Sequence, residues 1–405
     1  MASMADYFLK CADCGNQQKE DAYYVSCPTC GGFIEVLLTK VPEHPIDTRF
    51  ASIFKYHPVM PYDPLQEDIV TFEDYEDTPM FIAKRLSEMM GIELLMKDET
   101  IMPTGTWKDR EGFVSIHRLM ISGVRDLVLF SSGNTGTSLA RSASIIKGPR
   151  LHIIVPNSSK KRMEASNTMI DPDYVKFHYF EGSNDECIDH AKIFTAEHGY
   201  QGEGGFTNYA RREGLKLFGL EFILNWKKPI DWYVQPIAGG IGIYSFYKAY
   251  RDLGLESQCP KMLGVQAEIC APMVNAWKAG SPTLEEEHVP QAVIPSDYVR
   301  VLRTRKPKES YPILKKIMDK VNGRFESVTD RQIHDALRLF YREDYFKKAY
   351  HKEGRLMGLE PATALAGIVK GVQDGFIRPS EKVLLNVSGA AKIGDIRMEW
   401  ISDLL

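Results

Sequence analysis

From about residue 80 onward, short apolar runs alternate with segments of helical periodicity, and no other feature limits the fold of this chain as strongly. IELLMKDE (92 to 99) predicts a strand, and KDREGFVSIHRLMISG (108 to 123) a helix stopped by Gly123. DLVLFSS (126 to 132) predicts a strand, NTGTSLARSASIIKG (134 to 148) a helix, and RLHIIVP (150 to 156) and YVKFHYFEG (174 to 182) two more strands. ECIDHAKIFTAEHG reads as a helix, DWYVQPI (231 to 237) as a strand, and GIYSFYKAYRDLG as a helix. KMLGVQAE (261 to 268) and KVLLNVSG (382 to 389) complete the set of strands. Runs of four to eight apolar residues, each followed by a helix, imply parallel sheets covered on both faces. No fixed-period repeat accompanies them.

Two segments stand outside this alternation. The passage holding Pro42, Pro45, Pro58, Pro61 and Pro64 has no period and reads as a linker wrapping onto the body. Residues 280 to 312 carry an acidic triplet, five prolines and the basic run RTRKPK, a pattern expected of a solvated connection or an active-site lid. A length of 405 residues predicts two domains. The 50 basic and 54 acidic side chains nearly cancel, at −4, which argues against a nucleic-acid or membrane-surface partner. MASMADYFLK lacks the basic region and apolar stretch of a secretory signal, and no run is long enough to span a bilayer, so a cytoplasmic protein is expected.

The cysteines cluster. Cys11 and Cys14, then Cys27 and Cys30, form two C-x-x-C pairs, CADCG and CPTCGG. Each pair can set two thiolates on one knuckle, with Gly15, Gly31 and Gly32 letting the chain turn back, and two knuckles complete a tetrahedral zinc site. Disulfides or free thiols are the competing reading, disfavoured where no export signal is seen. Such a zinc ribbon is structural, because four thiolates leave no open coordination position. Cys187, Cys259 and Cys270 are expected to be buried.

In open parallel sheets ligands bind beyond the carboxyl ends of strands. Three strand-end turns are rich in small polar residues. SSGNTGTS (131 to 138) exposes backbone N–H groups at a helix start, suited to an anion, with Asn134 adding an amide; a well-capped helix is the plainer reading. PIAGGIGIYS (236 to 245) would let backbone wrap a phosphate, and it is neither a dinucleotide fingerprint nor a P-loop. LNVSGAAKIGD (385 to 395) sets Ser388 after an apolar strand, as a simple turn or as a hydroxyl aimed at a buried heteroatom. Lys108, in IMPTGTWKDREGFV, sits at a helix start, where the macrodipole disfavours a cation and depresses an amine's pKa. By itself it reads as a solvated lysine, although a depressed amine is also what a Schiff-base lysine requires.

Read together, these motifs resemble the fold-type II pyridoxal-phosphate enzymes, the threonine synthases most closely. KDETIMPTGTWKDREG resembles that family's Lys-Asp-Glu-x-x-x-Pro-Thr-Gly-Ser-Phe-Lys-Asp-Arg-Gly, and SSGNTGTS its Ser-Ser-Gly-Asn-Thr turn. NYARREGLK (208 to 216) resembles Asn-Pro-x-Arg-x-Glu-Gly-Gln-Lys, and EGRLMGLEPATALAG (353 to 367) a late Glu-Gly…Glu-Pro-x-x-Ala segment. The resemblance implies a tryptophan-synthase-β-like α/β fold of two domains with parallel sheets, and a homodimer. Domain limits follow as a ribbon over 1–40, a linker and first part of the large domain over 41–90, a small domain over 91–170, and the large domain over 171–405, with the lid or insert near 280–312. Lys108 would form the Schiff base with pyridoxal phosphate and shuttle protons. Asn134 would donate to the ring hydroxyl, and Gly239, Gly240, Ile241, Gly242 and Ile243 would hold the phosphate. Ser388 would face the ring nitrogen, giving a weaker electron sink than a carboxylate would, which suits elimination and replacement. Ser132, Gly133, Thr135 and Gly136 would take the substrate carboxylate, and Arg211 a substrate phosphate or carboxylate.

The sequence departs from that pattern on the substrate side. Gly205 and Phe206 stand where the family has Asn-Ser, Tyr209 replaces the usual Pro, Trp107 replaces Phe, and an Ile-Gly-Asn-Pro-like turn is missing from 280–312. The expected activity is elimination or replacement on an O-phosphorylated or otherwise activated amino acid, with phosphate the best leaving group and Lys160, Lys161 and Arg162 further candidate anion contacts. The alternatives are a β-replacement synthase using O-phosphoserine, O-acetylserine or serine with a nucleophile other than water, and a non-catalytic ligand-binding protein on the same scaffold. A nicotinamide oxidoreductase would require a dinucleotide fingerprint that the glycine loop does not supply.

Overall fold

In the computed structural model, which describes residues 6–19, 23–62, 77–165, 170–291 and 302–392, the chain opens with β1 (Tyr7–Cys11), β2 (Gln17–Gln18) and β3 (Ile34–Leu38). These form an antiparallel sheet in the order β2-β1-β3. The proline-containing passage then makes a buried 3-10 turn over Ser52–Val59; Pro64 lies outside the described residues. β4 (Met80–Ile82), α1 (Lys84–Met90) and β5 (Glu93–Asp98) follow, then α2 (Asp109–Ile121), β6 (Asp126–Phe130), α3 (Asn134–Ile146) and β7 (Arg150–Pro156). Next come α4 (Lys160–Ala165), β8 (Val175–Phe180), α5 (Asn184–His198), β9 (Gln201–Gly202), α6 (Tyr209–Trp226), β10 (Trp232–Pro236) and α7 (Ile241–Asp252). The chain closes with β11 (Lys261–Ala267), α8 (Pro272–Lys278), α9 (Tyr311–Lys320), β12 (Arg324–Val328), α10 (Asp330–Phe340), α11 (Asp344–Glu353), α12 (Leu359–Gln373) and β13 (Lys382–Val387).

Two units result. The first comprises Met1–Asp77, Met102–Trp226 and Ser245–Glu256, the second Thr78–Ile101, Lys227–Tyr244 and Ser257–Leu405. The first carries the ribbon and a sheet in the order β8-β7-β6-β9, parallel throughout. The second carries a sheet in the order β12-β11-β10-β13-β5-β4, parallel except for β4 at one edge. The α/β fold with parallel sheets and an N-terminal ribbon is therefore as expected.

Local differences have local causes. α3 stops at Lys147, which takes a left-handed φ of 55°, and Gly148 instead packs under Met120. α5 starts at Asn184, two residues before the predicted stretch, because Ser183 and Glu186 form a reciprocal capping box. Cys187 and Cys270 are buried as expected, whereas Cys259 is only half-buried. In 280–312, residues 292–301 lie outside the described set. Of the rest, Glu286 pairs with Lys306 at 3.2 Å and Lys308 at 2.8 Å, so the acidic and basic runs neutralise each other.

In the first unit α2 is held from both sides at van der Waals limits. A Cβ added at Gly112 would come within 2.4 Å of Ser138 Oγ on α3, and one at Gly214 of α6 would come within 2.5 Å of the Arg110 carbonyl and Glu111 Cα. Arg110 also pairs with Glu221 at 2.5 Å, with both side chains buried. Gly214→Ala must push α6 away from α2, and overpacking against backbone costs about 3 kcal/mol. The denaturation midpoint is expected to fall accordingly, and an unchanged midpoint would refute the close-approach argument.

Candidate active site

Lys108 is the N-cap of α2, presented by the turn before it. Asp109 closes that turn by accepting from the Thr104 N–H at 2.7 Å and its hydroxyl at 2.6 Å. Ser138 on α3 donates to the Lys108 carbonyl at 2.6 Å, fixing the backbone that carries the amine. Trp107 is buried with its ring edge-on to Phe218, at 6.0 Å between centroids, and the Lys108 Nζ lies 5.1 Å from the Trp107 ring. The larger ring thus packs against α6 and forms one wall beside the amine.

Glu111, one turn further along α2, reaches back to Lys108 Nζ at 3.2 Å and has a fully buried side chain. It also accepts from Thr135 Oγ1 at 2.9 Å and from Arg211 at 3.0 Å. Arg211, on α6, spans from Glu111 to Glu203, which it meets at 2.9 Å. Burial pushes the Lys108 amine below its ordinary pKa, and the Arg211 charge adds to this against the opposing pull of Glu111. Burial alone would raise the Glu111 carboxyl, but Arg211 and Lys108 hold it below its ordinary value. Arg211 loses some basicity to burial and more than regains it from its two carboxylates.

Of the candidate carboxylate-binding residues, Thr135 belongs to this cluster. Gly136 donates its N–H to Ser131 Oγ at 2.8 Å, Gly133 does so at 3.4 Å, and the Ser132 carbonyl accepts from Arg162 at 3.0 Å. Asn134 is the first residue of α3. Lys160 is paired with Glu164 at 3.8 Å and lies 5.0 Å from the Tyr179 ring.

In the second unit the turn after β10 leads into α7. Gly240 has a φ of +77°, the left-handed region that favours glycine, and a side chain there would strike Leu314. Ile243 donates its N–H to the Gly240 carbonyl at 3.1 Å. Among the described residues, the N–H groups of Gly239, Gly240, Ile241 and Gly242 donate to no protein acceptor. A Cβ at Gly239 would meet nothing within 4 Å, so that side of the turn is open. Bare N–H groups at a helix start match a phosphate monoester. Ser388 follows β13, which pairs with β10, so both turns leave neighbouring strands at the same edge of the sheet; the serine is buried. Asn386 donates to Gln235 across those strands at 2.9 Å.

The four ribbon sulfurs lie within 4.8 Å of one another, with Cys11–Cys30 at 3.6 Å and Cys14–Cys27 at 3.7 Å. A tetrahedral zinc with bonds of about 2.3 Å sets sulfurs about 3.8 Å apart, whereas a disulfide needs about 2.05 Å. The quartet can therefore hold a metal.

A depressed lysine amine and a bare N–H cradle are the features a pyridoxal phosphate cofactor requires, and comparison with known proteins decides the family. Residues 71–389 match the family model described as pyridoxal-phosphate dependent enzyme. The chain belongs to that family. Within it, the chain is 28% identical over 395 residues to the threonine synthase of Methanosarcina acetivorans, covering 95% of this chain and 91% of the relative. It is 26% identical over 408 residues to the cysteate synthase of Methanospirillum hungatei, covering 95% and 90%. In fold it is similar to a fungal L-serine ammonia-lyase from Rhizomucor miehei, with a TM-score of 0.64, 16% identity, and 81% and 97% of the two chains covered. Maize serine racemase gives a TM-score of 0.60 at 18% identity, with 84% and 96% covered. The protein is a pyridoxal-phosphate dependent enzyme. Among the described residues no helix is long and apolar enough to cross a membrane.

Sequence reasoning did not single out Glu111 and Glu203. Glu111 was within reach, since a carboxylate three residues after a helix-starting lysine faces it. Glu203 carried no signal, because its partner Arg211 is brought to it by the fold of the 203–211 loop.

Proposed function

We propose that the chain catalyses elimination or replacement at the side chain of an activated amino acid, as threonine synthases do, by forming threonine or a related amino acid from an O-phosphorylated or otherwise activated donor. The observation that carries this reading is the Lys108 amine, depressed by burial at the start of α2. Bound pyridoxal phosphate would supply an electron sink for the substrate's Cα carbanion. Lys108 would attach to it covalently and then move a proton at Cα, a task that needs an amine with a lowered pKa. Gly239, Gly240, Ile241, Gly242 and Ile243 would hold the phosphate, Asn134 the ring hydroxyl and Ser388 the ring nitrogen. Ser132, Gly133, Thr135 and Gly136 would orient the substrate carboxylate, and Arg211 would face the side chain. The ribbon cysteines Cys11, Cys14, Cys27 and Cys30 would hold a structural zinc. A cytoplasmic homodimer completes the proposal, and light scattering at twice the chain mass checks the assembly.

Purified protein tests it. A yellow, lysine-bound chromophore is expected, followed by leaving-group release from one of O-phosphohomoserine, O-phosphoserine, O-acetylserine or serine. Colourless protein that takes up no pyridoxal phosphate would refute the reading. Threonine from O-phosphohomoserine would identify the four-carbon reaction, whereas reaction of the three-carbon donors alone would identify β-replacement.

A further inference from the structure

Arg211 is 8% exposed, and both ends of its guanidinium fork are already taken. One end donates to Glu203 Oε1 at 2.9 Å, the other to Glu111 Oε1 at 3.0 Å and Thr135 Oγ1 at 3.2 Å. Neither carboxylate is loosely held. Glu203 accepts from the Gly205 N–H at 3.1 Å and from Asn208 at 3.4 Å, and Glu111 from Thr135 at 2.9 Å and Lys108 at 3.2 Å. Phosphate recognition by arginine uses two parallel N–H bonds from the same fork. Each such pair uses an N–H of Nη2, and both of these already go to Glu111 and Thr135, so a phosphate would have to displace one of them.

The charge of the cluster leads to the same conclusion. Lys108 and Arg211 are balanced by Glu111 and Glu203, so a dianion arriving here gains no net attraction and meets two negative groups. Arg211 Nε is buried and has no acceptor among the described residues. A single N–H of that kind matches one neutral oxygen, as in a hydroxyl or an ester carbonyl.

We infer that Glu111, with Glu203, makes this site specific for donor amino acids with an uncharged side chain, a hydroxyl or an O-acyl ester, and closes Arg211 to O-phosphorylated donors. The inference rests on the elimination or replacement reading above and names its substrate class. Glu111 is the specificity-determining residue because it neutralises Lys108 and one end of Arg211 together.

The test uses holoenzyme, wild type and Glu111→Gln, with matched pairs: O-acetyl-L-serine against O-phospho-L-serine, and the two corresponding homoserine esters. The kcat/KM for leaving-group release and the dissociation constant from the chromophore's spectral shift are both read. Wild type is expected to favour the acetyl donor by about tenfold or more, the scale set by one buried charge partner. Glu111→Gln should move the ratio by about tenfold toward phosphate. A merely structural role would weaken both donors alike and leave the ratio unchanged, which would overturn the inference. So would a wild type that prefers the phosphorylated donor, a result that stands even if the variant does not fold. Glu203→Gln, at the other end of the fork, is the second variant and should shift the ratio the same way. A protein without chromophore overturns the underlying reading as well, and the absent spectrum tells that failure from a wrong ratio.

Discussion

Lys108→Ala is expected to remove the chromophore and cut turnover by about a thousandfold or more, the scale of losing a covalent and proton-transferring group, while the protein stays folded. Lys108 sits at the helix start rather than in its interior, its side chain is 17% exposed, and the turn that presents it is closed by Asp109 and Ser138. None of those contacts involves the amine. What the substitution leaves behind is Glu111, buried but still paired with Arg211 and Thr135, so no carboxylate is stranded. The melting temperature should therefore change little, which separates this variant from one that fails by unfolding. Borohydride reduction of wild type followed by peptide mapping supplies the positive control, with the adduct expected on the peptide that contains Lys108. Turnover retained in Lys108→Ala, or an adduct on another lysine, would show the lysine to be misassigned.

How far the sequence could go depended on the reach of each contact. β6, β10 and β13 were readable because each centres on three adjacent buried apolar residues, 127–129, 232–234 and 383–385, a property of neighbours in sequence. β12 was not, since RFESV alternates charge with apolar residues; Arg324 and Glu326 turn toward each other at 2.5 Å while Phe325 is buried. The cysteine quartet was readable from spacing, because two knuckles of fixed geometry need only approach one another. Arg211 was readable as a site residue, but its two carboxylates were not, and they decide what it can bind. Phe206 and Tyr209, which looked like alterations of the substrate pocket, also face the ribbon segment. Phe206 stacks on Phe33 at 5.7 Å, and Tyr209 lies 5.9 Å from Tyr23 and accepts a hydrogen bond from Arg118 at 3.1 Å. Contacts spanning well over a hundred residues have no local signature.

Those ribbon contacts would give loss of the zinc proposed for the cysteine quartet an effect beyond the ribbon. The ribbon is small, with three short strands, and no disulfide joins its two knuckles. A structural zinc contributes about 10–16 kcal/mol in isolated zinc-finger peptides, so loss of the proposed ion is expected to loosen β1, β2, β3 and the two cysteine knuckles. The segment from Glu203 to Arg212 is built against that surface. Tyr23 accepts from Asn208 at 2.5 Å, Gly204 lies so near Val25 that an added Cβ would come within 2.7 Å, and Arg212 covers the Phe33 ring at 3.8 Å. Asn208 in turn accepts from the Arg211 N–H at 3.3 Å and donates to the Glu203 carbonyl at 2.9 Å. Chelation, or Cys27→Ser, should therefore release the support under Glu203 and Arg211 while leaving Lys108 on α2. The expected result is loss of one bound zinc per chain, a melting temperature lowered by several degrees, and a KM for the donor raised about tenfold or more, with a smaller change in kcat. The chromophore should survive, because among the described residues Lys108 and its turn are held by Asp109, Glu111, Ser138 and Phe218 rather than by the ribbon. A chelated protein with unchanged KM would show that the ribbon only decorates the fold, whereas loss of chromophore along with zinc would place the coupling at Lys108 rather than at Arg211.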